Sequence, residues 1–285
     1  KRAGRDLSLT NISDINAGVE SVRLFKEPCA VVIKHNNPCG IALGKSSKEA
    51  LMRAIEADPE SAFGGVIVLN LPMDLKTARL IANFKEDRHS NIDIVAVPNI
   101  DKDALVLLMK TRKTMGIYTF GKTKPYTLNA KRLNFKWIDG GLVVQESDDH
   151  IDKGFKDWKV VSKKKPSAKQ ILQMKTAWKF ISRIKSNAII IMDPKNPMTR
   201  GIGTGQTSRI RSTKIALEQA GKHTKSGIMA SDSFFPFDDS VKMAGKYGIS
   251  AIVQQGGSIN DQLSIQVADK QGMIMVFTGK RAFWH

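Results

Sequence analysis

Cysteine is scarce in this sequence: Cys29 and Cys39 are the only two in 285 residues. They make no disulfide framework and no metal-ligand spacing. The five histidines are scattered, and neither a CxxC nor an HExxH pattern occurs, so no zinc site is expected. Long apolar runs are also missing. Apolar runs such as those at 31–33 and 188–191 are strand-sized, far short of the ~18 apolar residues of a membrane span. No secretory signal pattern opens the chain. It starts at Lys1 without methionine, which points to a processed or truncated piece. These absences leave a globular chain of a reducing, cytoplasmic compartment. An apolar content of 41% fits that class.

Acidic residues are the next shortage. Lys and Arg number 45 against 27 Asp and Glu, a formal charge of +18. Such a surface attracts polyanions: nucleic acid, membrane headgroups, or phosphorylated and polyglutamylated small molecules. It is equally the charge of a lysine-rich solvated surface. The longest basic run, Lys163-Lys164-Lys165, lacks the interleaved aromatics of a single-strand groove. No motif supports nucleic-acid binding.

What is present is written twice. A helix-like segment near 13–25 has a counterpart near 168–184. CAVVIKHNNPCGIALG then matches SNAIIIMDPKNPMTRGIGTG: each is an apolar run entering a turn with Asn-Pro, and each closes on Gly-Ile-x-x-Gly. KEALMRAIEA matches RSTKIALEQA, and GGVIVLN matches SGIMASD. DIVAVPNI pairs with AIVQQGGSI, and MGIYTFGK with GMIMVFTGK. The offset stays at about 160 residues throughout. This order predicts two α/β lobes, at 1–126 and 165–285, joined by a 127–164 connection that carries a strand at GGLVVQ. Ligands of such sheets gather at loops leaving strand carboxyl ends, so the groove between the lobes is the expected site.

Four stretches carry chemistry. Lys34 and His35 end the first strand; Pro38 restricts Asn37 to extended backbone, and the turn is expected at Asn-Asn-Pro. An imidazole beside an ammonium favours its neutral form, which suits a general base. The lysine can hold positive charge near an oxyanion or phosphate. A surface Lys-His pair is the plainer reading. In GIGTGQTSR, three alternating glycines followed by Arg209 resemble an anion cradle at a helix start, or simply a tight turn. In SDSFFPFDD, the aromatics Phe234 and Phe235 with Pro236 wall a pocket that Asp239 anchors, or plug the loop. The terminus GKRAFWH follows a strand and is expected to dock on the body.

These stretches together resemble the AICAR transformylase region of the bifunctional purine biosynthesis family. The matching stretches are VVIKHNNPCGIALG, EADPESAFGGVIVLN, GGLVVQ, SNAIII, GIGTGQTSR, MASDSFFPF, QQGGSINDQ and VFTGKRAFWH. They span nearly the whole chain. The resemblance implies tandem duplicated cytidine-deaminase-like α/β lobes without zinc. It implies formyl transfer from the co-substrate 10-formyltetrahydrofolate to the 5-amino group of AICAR, with no cyclohydrolase activity from this region. It implies a homodimer with its sites at the interface, and small-molecule rather than membrane partners. Matched by motif, Lys34 and His35 are the catalytic pair. Asn187 positions the base or carboxamide, and Arg209 meets the nucleotide. Phe234, Phe235, Pro236 and Asp239 line the substrate and folate pocket. Arg281, Phe283 and His285 close it. Two other readings fit the same residues: a nucleotide- or folate-binding remnant without turnover, and a basic nucleic-acid-binding protein.

Overall fold

A computed structural model describes residues 1–84, 91–122, 132–147 and 151–284, with the backbone alone at 152–154. His285 lies outside the described residues.

The first unit builds a sheet from β1 (Cys29–Lys34), β2 (Asn37–Leu43), β3 (Val66–Leu69), β4 (Ile94–Val97) and β5 (Gly116–Thr119), in the order β2-β1-β3-β4-β5. β1 runs antiparallel to both β2 and β3, and β3, β4 and β5 are mutually parallel. Its helices are α1 (Leu9–Val22), α2 (Ser47–Ala57), α3 (Pro59–Ala62), α4 (Leu75–Asn83) and α5 (Lys102–Thr111). A separate hairpin follows, β6 (Leu133–Ile138) and β7 (Gly141–Glu146), turning at Gly140 with φ 80°.

The second unit opens with β8 (Lys159–Val160) and α6 (Ala168–Ile181), then β9 (Ile189–Met192), β10 (Thr199–Gly203) and α7 (Arg209–Ala220). It continues with β11 (Ile228–Ser231), α8 (Asp239–Lys246), β12 (Ala251–Gln254), α9 (Asp261–Lys270) and β13 (Ile274–Phe277). Its sheet order is β10-β9-β11-β12-β13-β8. The first five of these strands repeat the order and the pairing senses of the first sheet. β8 is an additional antiparallel edge on β13. Lys159 and Val160, which the sequence places in the connection, therefore belong to the second sheet.

Strand alternation divides the core into three parts. Val31 and Ile33 of β1 point to one face, Ala30 and Val32 to the other. The first face shares a core with Val22 of α1, Phe180 of α6 and Ile190 of β9, so the two units are packed through α1 and α6. The other face of the first sheet is covered by α2, α4 and α5, through Leu51, Ile81 and Leu108. Ile189 and Ile191 face α7 and α8 through Leu217 and Val241. Burying each such aliphatic side chain contributes roughly 1.5–3 kcal/mol.

α1 and α6 start alike. Ser8 with Asn11, and Ser167 with Gln170, form reciprocal capping boxes that satisfy orphan N–H groups of the first turn. The matched glycines have a shared physical cause. A Cβ on Gly40 would lie 2.1 Å from the Ala54 carbonyl oxygen of α2, and one on Gly201 would lie 1.9 Å from that of Ala216 in α7. In both units, the helix after the hairpin presses on a strand that has room only for glycine. The sheet edges also meet: Leu43 N–H donates to the Pro197 carbonyl at 2.8 Å, and Ala42 bridges Met198.

Candidate active site

The first turn is tighter than the sequence implies. Lys34 pairs with Asn37, leaving His35 and Asn36 as the turn, at φ 54° and 62°. Asn37 and Pro38 are already strand β2. Left-handed residues fit two-residue hairpins because their twist matches that of the strands; Asn and His tolerate that region better than branched side chains. The Asn36 N–H donates to the buried Asp14 carboxylate of α1 at 2.7 Å. Lys34 is half-buried, and its Nζ donates to the Phe63 carbonyl at 2.9 Å, while His35 is exposed. Leaving strand geometry at this point frees the adjacent Lys and His from opposite faces of the sheet.

Asn37 carries the turn to the second unit. Its Oδ1 accepts from Lys185 N–H at 3.1 Å and lies 3.4 Å from the Thr204 hydroxyl, which donates to the Lys185 carbonyl at 2.6 Å. Next along the chain, Ser186 and Asn187 enter a buried cluster. Arg209, the first residue of α7, donates from Nη1 to Asp232 and to Ser231 Oγ at 3.0 Å, and from Nη2 to Asn187 Oδ1 at 2.8 Å. Asp232 also accepts from Ser186 Oγ at 2.6 Å and Ala188 N–H at 3.1 Å. Asn187 Nδ2 donates to the Gln206 carbonyl at 2.8 Å. Both sides of this ion pair are nearly sealed, at 7% and 0% side-chain exposure; a buried pair needs such supporting hydrogen bonds to offset desolvation.

The terminus docks on the same cluster. Ala282 N–H donates to the Asp232 carbonyl at 2.7 Å, and Ser186 N–H to that of Trp284 at 3.0 Å. Arg281 is exposed with its guanidinium 5.1 Å from the centre of the Phe283 ring, and Phe283 is half-buried. Lys34, His35, Asn187, Arg209, Arg281 and Phe283 thus belong to one stretch of connected backbone and side chains.

Other sequence expectations need correction. Gly201 and Gly203 form no open anion cradle: they lie in β10, and a Cβ on either would be 1.9 Å from a carbonyl oxygen of α7. Arg209 is packed into the interior rather than reaching outward. Phe235 is fully buried among Ile189, Leu217 and Val241, so its ring is core and walls no pocket. Phe234 is half-buried, and Pro236 and Asp239 are exposed beside it. Asp239 accepts from the Ser240 N–H at 2.6 Å. Asp232, Asn37, Thr204 and Asp14 were not singled out in the sequence. The available signal was Asp232 closing the apolar strand IMAS: a carboxylate at a buried strand end needs a cation, and Arg209 is that cation.

Cys39 stands near the turn. Burial, with the Asp58 carboxylate next in effect, pushes its thiol up to about 12. It stays protonated at neutral pH and is no nucleophile. Among the described residues, no group of His, Cys, Asp or Glu has the arrangement of a metal site, and no helix is long and apolar enough to cross a membrane.

A family profile described as AICARFT/IMPCHase bienzyme matches residues 1–219. The chain belongs to this bienzyme family. It is 45% identical over 285 residues to the bifunctional purine biosynthesis protein PurH of Thermoanaerobacter, covering 99% of this chain and 53% of that relative. The protein of the same name from Halalkalibacterium halodurans is 41% identical over 284 residues, with the same coverage. That of Persephonella marina is 38% identical over 285 residues. The chain spans about half the length of these curated relatives.

Proposed function

We propose that this chain carries the formyl-transfer half of the bienzyme, moving a formyl group from 10-formyltetrahydrofolate to the 5-amino group of AICAR in purine biosynthesis. The observation that carries this reading is the Lys34-His35 turn, held by Asn37 against the segment that leads into the Asn187–Arg209–Asp232 cluster.

An aromatic amine is a weak nucleophile. Its nitrogen attacks the formyl carbon only if a base removes a proton as the bond forms. His35, exposed on a turn with fixed backbone, is that base. Lys34 exchanges the Phe63 carbonyl for the developing oxyanion and holds the charge there. Asn187 is oriented by Arg209 and Gln206, and positions the carboxamide edge of the substrate. Arg209 acts on the substrate through Asn187, which it holds together with Asp232. Phe234, Pro236 and Asp239 flank the folate side, and the tail with Arg281 and Phe283 closes over it. The charge of +18 draws in a phosphorylated substrate and a polyglutamylated co-substrate. The matched sheets are a tandem duplication of a cytidine-deaminase-like lobe.

The chain acts as a homodimer through its hairpin. Phe135, Trp137, Leu142 and Val144 share one face of β6–β7 at 63%, 81%, 41% and 48% exposure. A lone hairpin is marginally stable in water, and an apolar face of this kind is covered by a second copy. Mixing the chain with both substrates and following tetrahydrofolate release optically tests the activity. Release that depends on AICAR supports it; tight binding of both ligands with no release contradicts it.

A further inference from the structure

α1 and α6 share a register set by their N-caps, Ser8 and Ser167, so Asp14 of the first helix stands where Gln173 stands in the second. Both side chains tie the hairpin turn that follows, with opposite polarity. Gln173 Nε2 donates to the Pro194 carbonyl at 2.9 Å, whereas Asp14 Oδ1 accepts from the Asn36 N–H at 2.7 Å. Asp14 is 6% exposed, and among the described residues it forms no ion pair. One helical turn on, the buried Gly18 lies where α6 has Ala177. A Cβ on Gly18 would stand 2.3 Å from Val68 Cγ2 and 3.3 Å from Ile33 Cγ1, so α1 rests directly on the strand that ends in Lys34. The second unit has room for the Ala177 methyl at the matched place, and that residue is fully buried.

A carboxylate is a costly side chain to bury. Hydrogen bonds to an ionised acceptor are roughly twice as strong as neutral ones, and the first turn has a use for that difference. His35 and Asn36 hold φ of 54° and 62°. Non-glycine residues in that region cost about 1–3 kcal/mol each and persist only where the surroundings over-determine them. Asp14 supplies that determination through the Asn36 N–H. The matched turn, residues 193–198, contains no left-handed residue, and there a neutral amide suffices.

We propose that Asp14 is a positioning residue for formyl transfer. Its carboxylate, seated on the first sheet by the Gly18 contact, holds Asn36 in left-handed backbone and so sets the direction from which the His35 imidazole meets the amine. The proposal rests on the formyl-transfer reading. Asp14 is buried and acts through the turn, so its loss is read in kcat rather than in the KM of either substrate.

Steady-state tetrahydrofolate release is compared for the wild-type chain, Asp14→Ala, Asp14→Asn and Gln173→Ala. Asp14→Ala is expected to lower kcat by about 10–10²-fold, the scale of misplacing a reacting group, with both KM values near wild type. Asp14→Asn keeps an oxygen that accepts the Asn36 N–H and is expected to recover most of that loss. Gln173→Ala, the matched truncation in the second unit, is expected to leave kcat at the wild-type value. Amide hydrogen exchange at Asn36, read by NMR without substrates, is expected to be slow in the wild type and about tenfold faster in Asp14→Ala. Wild-type kcat in Asp14→Ala overturns the proposal, as does a loss confined to KM. An equal kcat loss in Asp14→Asn or in Gln173→Ala also overturns it. If Asp14→Ala fails to fold, exchange in the wild type decides: a protected Asn36 amide supports the tie, and a freely exchanging one overturns it. A wild-type chain that releases no tetrahydrofolate contradicts the formyl-transfer reading itself. An active wild type with an equally active Asp14→Ala contradicts this proposal alone.

Discussion

Between β1 and β2 the chain reverses on His35 and Asn36 alone; between β9 and β10 it runs through residues 193–198. Both turns are clasped by the preceding helix. Asp14 of α1 accepts from the Asn36 N–H, and Gln173 of α6 donates to the Pro194 carbonyl at 2.9 Å. Both also reach across to the other unit by the asparagine before proline. Asn37 Oδ1 takes the Lys185 N–H, and Asn196 Oδ1 takes Arg53 Nη2 at 3.1 Å. What each turn does with its polar groups differs. In the second, Asp193 accepts from Lys195 and Asn196 N–H, each at 2.8 Å, and from Arg200 Nε at 2.7 Å, while Arg200 reaches Glu56 at 2.9 Å. The second turn thus spends its charges on structure. The first keeps an exposed imidazole and a lysine that, among the described residues, donates to a carbonyl. A repeated scaffold lets one copy of a turn become a strut while the other stays available for chemistry.

Breaking the strut gives the largest effect expected. Asp193→Ala leaves the buried Arg200 with only the half-exposed Glu56 to pair with and is expected to cost about 3–5 kcal/mol in urea unfolding. Burial alone would raise the Asp193 carboxyl, but hydrogen bonds from Asn196, Arg200 and Lys195 hold it below the ordinary carboxylate value. The unfolded chain therefore takes up its proton first as pH falls. The Asp193 contribution is complete above the ordinary value and is lost as pH drops through the lower, folded one. The stability gap between wild type and Asp193→Asn should shrink over that acid window, and a gap that widens there contradicts the assignment.

The kinetic contrast comes next. Lys34→Ala should lower turnover by about 10²–10³, the scale of removing one oxyanion donor. Lys195→Ala, in the second turn, should leave steady-state rates unchanged. Equal losses in both would erase the division of labour. Smaller again is the effect at the shared glycines: Gly40→Ala and Gly201→Ala should each cost about 1–3 kcal/mol by overpacking strand on helix. A large difference between these two melting curves would show that the units do not pack their helices alike.

Much of the fold was legible because the signals were local. Apolar runs of strand length became β1, β3, β4, β9, β11, β12 and β13, and the periodic segments near 13–25 and 168–184 became α1 and α6, each beginning at or before its expected start. β8 was missed because two residues carry no periodicity; its place is set by pairing with β13. The turn was misplaced by the weight given to Pro38, since proline at the start of β2 is as compatible with an edge strand as with a loop. Sequence alone leaves the glycines of GIGTG between an anion cradle and a tight turn because helix contact is non-local. It leaves Phe235 between pocket wall and loop plug for the same reason: nothing in FFPF shows which ring turns inward, and the ring is in the core. For the site, residue types were readable at Lys34 and His35, but the ties made by Asn37, Thr204 and Asp232 depend on partners far along the chain.

The central claim is that His35 takes the proton from the attacking amine. His35→Asn tests it most directly, because asparagine accepts the left-handed backbone at φ 54° and leaves the turn intact. With both substrates saturating, tetrahydrofolate release by this variant should fall by about 10²–10⁴, while its unfolding midpoint stays at the wild-type value. Wild-type turnover in a folded His35→Asn chain would contradict the account.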